Sequence, residues 1–150
     1  MQSVSLKKDQ KFQYKFADIP IDESIIFYKR RYVFAFTNLK PFLPGHVLLV
    51  PTRVERKYTN LTEAEAIEMW ISARNIAENL KTFYKTDKIN ISISDGPDAA
   101  QSVPHCHIHL IPIPEGYDWS KAKSDSERKP RTQEEMAEEA EKYRNCFVFN

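Results

Sequence analysis

Pro104-His105-Cys106-His107-Ile108-His109-Leu110-Ile111-Pro112-Ile113 is the stretch that decides how this chain reads. Three of its first six residues are histidines, and they alternate. Successive side chains of a β-strand point to opposite faces, so alternate residues share a face roughly 7 Å apart along the chain. The pattern predicts a strand from about Pro104 to Ile113, with His105, His107 and His109 in a row on one face. Cys106, Ile108 and Leu110 would then point into a core. The chain has only one other histidine, His46.

A row of imidazoles suits phosphoryl chemistry. The ordinary pKa of about 6.5 lets histidine act as nucleophile, base or acid near neutrality. A nucleophilic imidazole needs one nitrogen free and the other held by a hydrogen bond. His107, the middle one, is the expected nucleophile, with its neighbours holding it and donating to phosphate oxygens. The same residues could ligate zinc. A flat strand spaces them widely, however, and no carboxylate pair or second cysteine cluster lies nearby, so no metal site is expected. Cys106 reads as an inert core thiol, and Asp95 and Asp98 as turn formers.

Working outward, Ile89-Asn90-Ile91-Ser92-Ile93-Ser94 alternates as a strand, followed by Asp95-Gly96-Pro97-Asp98 with turn chemistry. Upstream, Ile67, Trp70, Ile71, Ala77, Leu80 and Tyr84 recur near helical spacing behind a capping box, Thr62-Glu63-Ala64-Glu65. His46 to Val50 reads as a buried strand ended by Pro51, preceded by the breakers Pro41, Pro44 and Gly45. Ile25-Ile26-Phe27-Tyr28 and Arg31 to Thr37 read as a hairpin turning at Lys29-Arg30. Residues 114–131 are polar and read as a mobile loop. A second capping box, Thr132-Gln133-Glu134-Glu135, opens a C-terminal helix over 132–145, and residues 1–13 read as a flexible arm. One α+β domain spanning 1–150 is the expectation: an antiparallel sheet, one long helix and a C-terminal helix.

Composition narrows the partners. Lys plus Arg is 22 against 21 for Asp plus Glu, a net charge of +1. No broad field exists for nucleic acid or an anionic membrane, so phosphate must be met at a local site. Two cysteines, no apolar leader at the N-terminus and no long apolar run point to a reducing compartment, cytoplasmic or nuclear.

His105-Cys106-His107-Ile108-His109-Leu110-Ile111 resembles the signature of the histidine triad superfamily, His-x-His-x-His followed by two apolar residues. Asn38-Leu39-Lys40-Pro41-Phe42-Leu43-Pro44-Gly45-His46-Val47-Leu48 is similar to that superfamily's upstream block, and Asp95 to Pro104 to the run entering the triad. Arg128-Lys129-Pro130-Arg131-Thr132-Gln133-Glu134-Glu135-Met136 is similar to the fragile histidine triad branch. The resemblance covers roughly residues 14–145. It implies hydrolysis of dinucleoside polyphosphates, diadenosine triphosphate giving AMP and ADP, through a nucleotidyl-histidine on His107. It makes His105 the support of His107, His46 a residue hydrogen-bonded to that support, and His109 the histidine near the reacting phosphate. It makes Gln101, Ser102 and Ser94 phosphate contacts, Asn38 a ribose contact, and Phe16, Ile21, Phe36 and Leu48 the purine pocket. It further implies a homodimer joined through the helix and central strands, and no tightly held cofactor, with Mg²⁺ arriving on the substrate if at all. Three positions depart from the branch pattern: Ser94 stands for an amide side chain, Ala100 for a glycine and Ile113 for a basic residue. A nucleoside phosphoramidase and a nucleotide-binding signalling protein with little turnover are the other readings.

Overall fold

The computed structural model describes residues 14–149; the arm expected over 1–13 lies outside the described residues. Among the described residues the strands are β1 (Tyr14–Phe16), β2 (Ile19–Ile21), β3 (Ile26–Lys29), β4 (Val33–Thr37), β5 (Val47–Pro51), β6 (Ile89–Ile93) and β7 (Ile108–Pro112). The helices are α1 (Glu63–Tyr84), between β5 and β6, and α2 (Gln133–Cys146), after β7. β1 and β2 form a small hairpin. The other five strands make one antiparallel sheet in the order β3-β4-β5-β7-β6, which is the α+β architecture expected.

The period-two patterns of β4 and β5 divide their residues between two cores. Val33, Ala35, Val47 and Leu49 face α1, where they meet Met69, Ala73, Ile76, Ala77 and Leu80 together with Cys106, Ile108 and Leu110. Phe34, Phe36, Leu48 and Val50 face the other way and are covered by Phe16 and Ile21 of the β1–β2 hairpin and by Met136 of α2. Full burial of each such aliphatic side chain contributes about 1.5–3 kcal/mol. Helix α2 touches both layers, with Ala140 and Tyr143 in the first and Met136 in the second. Near its end, Arg144 donates to the main-chain carbonyls of Ser24 and Ile26 (3.2 and 2.9 Å), so a guanidinium sits on the outer edge of β3.

Several expected elements shift. The hairpin turn lies one residue later than Lys29-Arg30: Lys29 still pairs with Phe34, and Arg30 N–H donates to Val33. The strand expected from His46 starts at Val47. Most consequential, the strand expected from Pro104 begins only at Ile108, which is where pairing with Leu49 begins. Before it, His105 N–H turns to Val103 and Cys106 N–H bonds Glu55, so residues 104–107 run outside the ladder. Helix α1 keeps the expected capping box, and Ala77 and Leu80 are buried as expected, but Ile67, Trp70 and Ile71 are exposed, and Met69, Ser72, Ala73 and Ile76 are buried in their place. The second box half forms. Thr132 accepts from Glu135 N–H, but the Glu135 carboxylate returns to the Thr132 hydroxyl rather than to its backbone. The 114–131 segment has neither strand nor α-helix, as expected of a loop. It carries two 3-10 turns and is pinned to the chain near Phe42, with Trp119 stacked on that ring (5.8 Å, 26°) and Arg128 donating to the Lys40 carbonyl. No described helix is long and apolar enough to cross a membrane.

Candidate active site

The four histidines converge. His105, His107 and His46 are buried and His109 half-buried. His109 lies in β7, between Leu48 of β5 and Ser92 of β6. The His107 ring stands edge-on to His109 (centroids 4.7 Å apart, 70° between planes), and the Phe16 ring closes on His107 from the other side (5.1 Å).

Backbone amides decide the tautomers, because an N–H can only donate. Ala17 N–H donates to His105 Nδ1 (2.9 Å), so the His105 proton is on Nε2, where it donates to the Pro51 carbonyl (2.9 Å). Both nitrogens of His105 are thus committed to main chain. His107 Nδ1 donates to the carbonyl of His105 (2.7 Å), which leaves the Nε2 lone pair free. The support of the expected nucleophile is therefore a carbonyl of the preceding segment and not, as expected, a flanking imidazole.

A second chain of bonds fixes the other side. Phe42 N–H donates to His46 Nδ1 (2.9 Å), so His46 carries its proton on Nε2 and donates to His109 Nδ1 (2.9 Å). His109 must then hold its own proton on Nε2. His46 bonds His109 and not His105, which corrects the expectation. The reason is positional: His46 enters β5 directly beside β7, whereas His105 lies beyond the ladder at the far end of β5. The site presents an acceptor nitrogen on His107 and a donor nitrogen on His109.

Burial keeps these rings neutral. It pushes His46, with help from His109, Arg128, His107 and Arg131, down to about 3, and His109, with help from His107 and Arg128, down to about 4. Burial also lowers His105 and His107, opposed in each case by a main-chain bond. Cys106 points into the α1 core, where burial pushes its thiol up to about 11, in keeping with an inert residue.

The remaining expected contacts divide. Phe16, Ile21, Phe36 and Leu48 pack together in the core layer on the side of the sheet where the imidazoles gather. The Asn38 amide nitrogen lies 3.4 Å from His46 Nδ1 and 3.3 Å from His46 Nε2, while its oxygen accepts from Lys40 N–H. Ser94 follows β6 half-buried, and Ser102 is exposed. Gln101 departs from expectation: its oxygen accepts from Gly96 N–H (2.8 Å) and its amide nitrogen donates to the Arg56 carbonyl (3.0 Å), so both ends brace the turn instead of facing a ligand. Ala100, before it, holds φ +71°, the left-handed region where glycine is at ease. Gly45, before His46, has φ +89°, and a Cβ there would come within 2.6 Å of both the Tyr84 ring and Pro112. Arg128 and Arg131 were not singled out from the sequence as site residues, yet both lower the His46 pKa. Their only signal is two fixed cations in a short run before a helix cap. Among the described residues, no group of three His, Cys, Asp or Glu side chains could hold a metal ion.

With this geometry in view, the relatives identify the class: the chain belongs to the HIT domain family, whose profile matches residues 21–116. Its relatives include members of the fragile histidine triad branch. A "bifunctional bis(5'-adenosyl)-triphosphatase/adenylylsulfatase FHIT" of Arabidopsis thaliana is 36% identical, covering 89% of this chain and 84% of its own. The nitrilase and fragile histidine triad fusion protein NitFhit of Caenorhabditis elegans is 40% identical over 89% of this chain, which spans about a third of that fusion (32%). The NitFhit crystal structure superposes with a TM-score of 0.78. The diadenosine triphosphate hydrolase of Plasmodium falciparum, solved with cyclomarin A, also gives 0.78, at 28% identity over 93% of this chain and 92% of that one.

Proposed function

We propose that the protein hydrolyses dinucleoside polyphosphates, with diadenosine triphosphate as substrate and AMP and ADP as products. The observation that carries this reading is the pair of opposed nitrogens, an acceptor on His107 beside a donor on His109. Nε2 of His107 attacks the α-phosphorus. A P–N bond forms as the P–O bond to the departing ADP breaks, leaving nucleotidyl-His107. Water then attacks the same phosphorus, the P–N electron pair returns to Nε2, and AMP departs carrying the water oxygen while the proton lost by the water passes to solvent. The Nε2–H of His109 donates to the phosphate oxygen that gathers charge at each step. Neutral rings suit these roles, since a protonated His107 has no lone pair to attack with.

In this reading Phe16, Ile21, Phe36 and Leu48 wall the purine site, Asn38 meets the ribose, and Ser94 and Ser102 meet phosphate oxygens. Gln101 shapes the turn that presents Ser102. Any Mg²⁺ travels with the substrate. The protein works as a homodimer through α1 and β6: Ile67, Trp70, Ile71 and Ile91 are 53, 43, 42 and 42% exposed, and β6 offers a free strand edge.

Purified protein is incubated with diadenosine triphosphate and, separately, with an adenosine phosphoramidate, and the products are resolved by chromatography. AMP plus ADP, with an AMP-sized mass adduct on the triad peptide after acid quench, supports the reading. Release of amine from the phosphoramidate alone overturns it in favour of a phosphoramidase. Light scattering tests the dimer, and a monomeric mass refutes it.

A further inference from the structure

The turn from Asn38 to His46 carries the first donor of the His46–His109 relay, and three of its carbonyls are bonded from outside it. Its internal bonds are Lys40 N–H to the Asn38 side chain, His46 N–H to Leu43, and the contacts of Phe42 N–H and the Asn38 amide with the His46 ring. Three consecutive carbonyls of the turn are held from outside by one short segment. Arg131 donates through Nε and a terminal nitrogen to the Asn38 carbonyl, and through its backbone N–H to Leu39 (2.9 Å). Arg128 donates to Lys40 (2.8 Å) and lies over the Phe42 ring (5.7 Å). The Arg131 guanidinium is itself oriented: Glu139 of α2 takes its remaining terminal nitrogen, and that carboxylate also accepts from Tyr143 OH (2.7 Å), which meets Tyr84 OH of α1 (2.7 Å).

The geometry points to Arg131 as a positioning residue that, through the Asn38–Phe42 turn, sets the tautomer and ring orientation of His46 and so fixes which nitrogen of His109 faces the substrate. The chain of cause is short. Arg131 holds the turn, the turn places Phe42 N–H, that N–H makes His46 Nδ1 an acceptor, and His46 Nε2–H makes His109 Nδ1 an acceptor. Displacing Phe42 N–H by an ångström removes the only main-chain donor that selects the His46 tautomer. His109 then no longer has to keep its proton on Nε2. A planar five-donor fork reaching a carboxylate and a carbonyl at once is a task lysine cannot copy.

The kinetic consequence rests on the hydrolase reading; the spectroscopic one does not, which separates failure of the two. Long-range ¹H–¹⁵N spectra of histidine-labelled protein near neutral pH report each tautomer. In the unmutated protein His46 and His109 should both show an unprotonated Nδ1, and His107 a protonated one. In Arg131→Ala the His46 and His109 signals should move toward an averaged or mixed pattern while His107 keeps its own. With diadenosine triphosphate, kcat should fall by about tenfold to a hundredfold, with KM changing less. Arg131→Lys should recover part of the loss, and Glu139→Gln should lose less than Arg131→Ala. Should Arg131→Ala fail to fold, Arg131→Lys carries the same two measurements. A folded Arg131 variant, even one with a lower Tm, that keeps the wild-type His46 and His109 spectrum and kcat overturns the inference. If no protein turns over the substrate but the spectra change as described, the inference stands and the proposed substrate falls.

Discussion

The run from Asp95 to His107 and the strand β7 that follows it share one histidine pattern but not one kind of structure. In β7 side chains alternate as a ladder demands: Ile108 and Leu110 are fully buried under α1, and His109 takes the other face. Before Ile108 the chain leaves the ladder, and backbone groups find partners one by one: Glu55 for Cys106, Val103 for His105, the ring of His107 for the His105 carbonyl. The regular strand places His109; the irregular lead-in chooses which nitrogen of His107 is free. Equal spacing in sequence therefore yields three imidazoles with three jobs, because function is set by what each ring nitrogen is bonded to.

Removing the free nitrogen should break the comparison most sharply. His107→Ala is expected to lower kcat by about four orders of magnitude or more, while AMP binding by calorimetry persists through the apolar pocket. Turnover near wild type would remove the covalent mechanism. His105 should behave as a structural member of the triad. His105→Ala leaves Ala17 N–H and the Pro51 carbonyl without their buried partner, and should cost about 3 kcal/mol in urea unfolding. Unchanged stability with abolished turnover would return His105 to a chemical role.

Acid sharpens the contrast further. The folded pKa values of His46 and His109 lie below the ordinary 6.5, so the unfolded chain binds more protons as pH falls. Stability from these rings should be fully present above about 6.5 and lost as pH falls toward about 4 for His109 and about 3 for His46. The wild type should then lose stability between pH 6.5 and 4 more steeply than His46→Asn, measured by urea midpoints. Equal slopes would mean His46 does not stay neutral. The smallest effect is at Ala100, whose φ of +71° favours glycine. Ala100→Gly should stabilise the lead-in turn by about 0.5–1 kcal/mol, and no gain in Tm would show that the turn relaxes around alanine.

Much of this was legible beforehand. Alternation marks β6, runs of strand formers and apolar residues mark β4 and β5, the Thr62 capping box marks the start of α1, and the histidines announce the site. What was hidden has physical causes. Helical period fixes a repeat but not a phase, so Ile67, Trp70 and Ile71 compete with Met69, Ala73 and Ile76. The small Ala73, Ala77 and Ser72 win the sheet side because they allow close approach. The start of β7 depends on where β5 stops offering partners. The bond between His46 and His109 spans 63 positions and follows from strand order. Arg128 and Arg131 act on main-chain carbonyls, which carry no sequence signature at all.

Arg144 on the outer edge of β3 bears on how large an assembly can grow. The five-stranded sheet has two rims, and only the β6 rim lacks such a guanidinium among the described contacts. Joined β6 to β6 by a two-fold axis, two copies would form a continuous ten-stranded sheet (five from each) whose outer rims are both β3, each already occupied by Arg144. In such a pair, growth by strand addition would end at two copies: the side chain that satisfies two carbonyls within one molecule would act as a chain stopper between molecules, turning an open edge into one that closes.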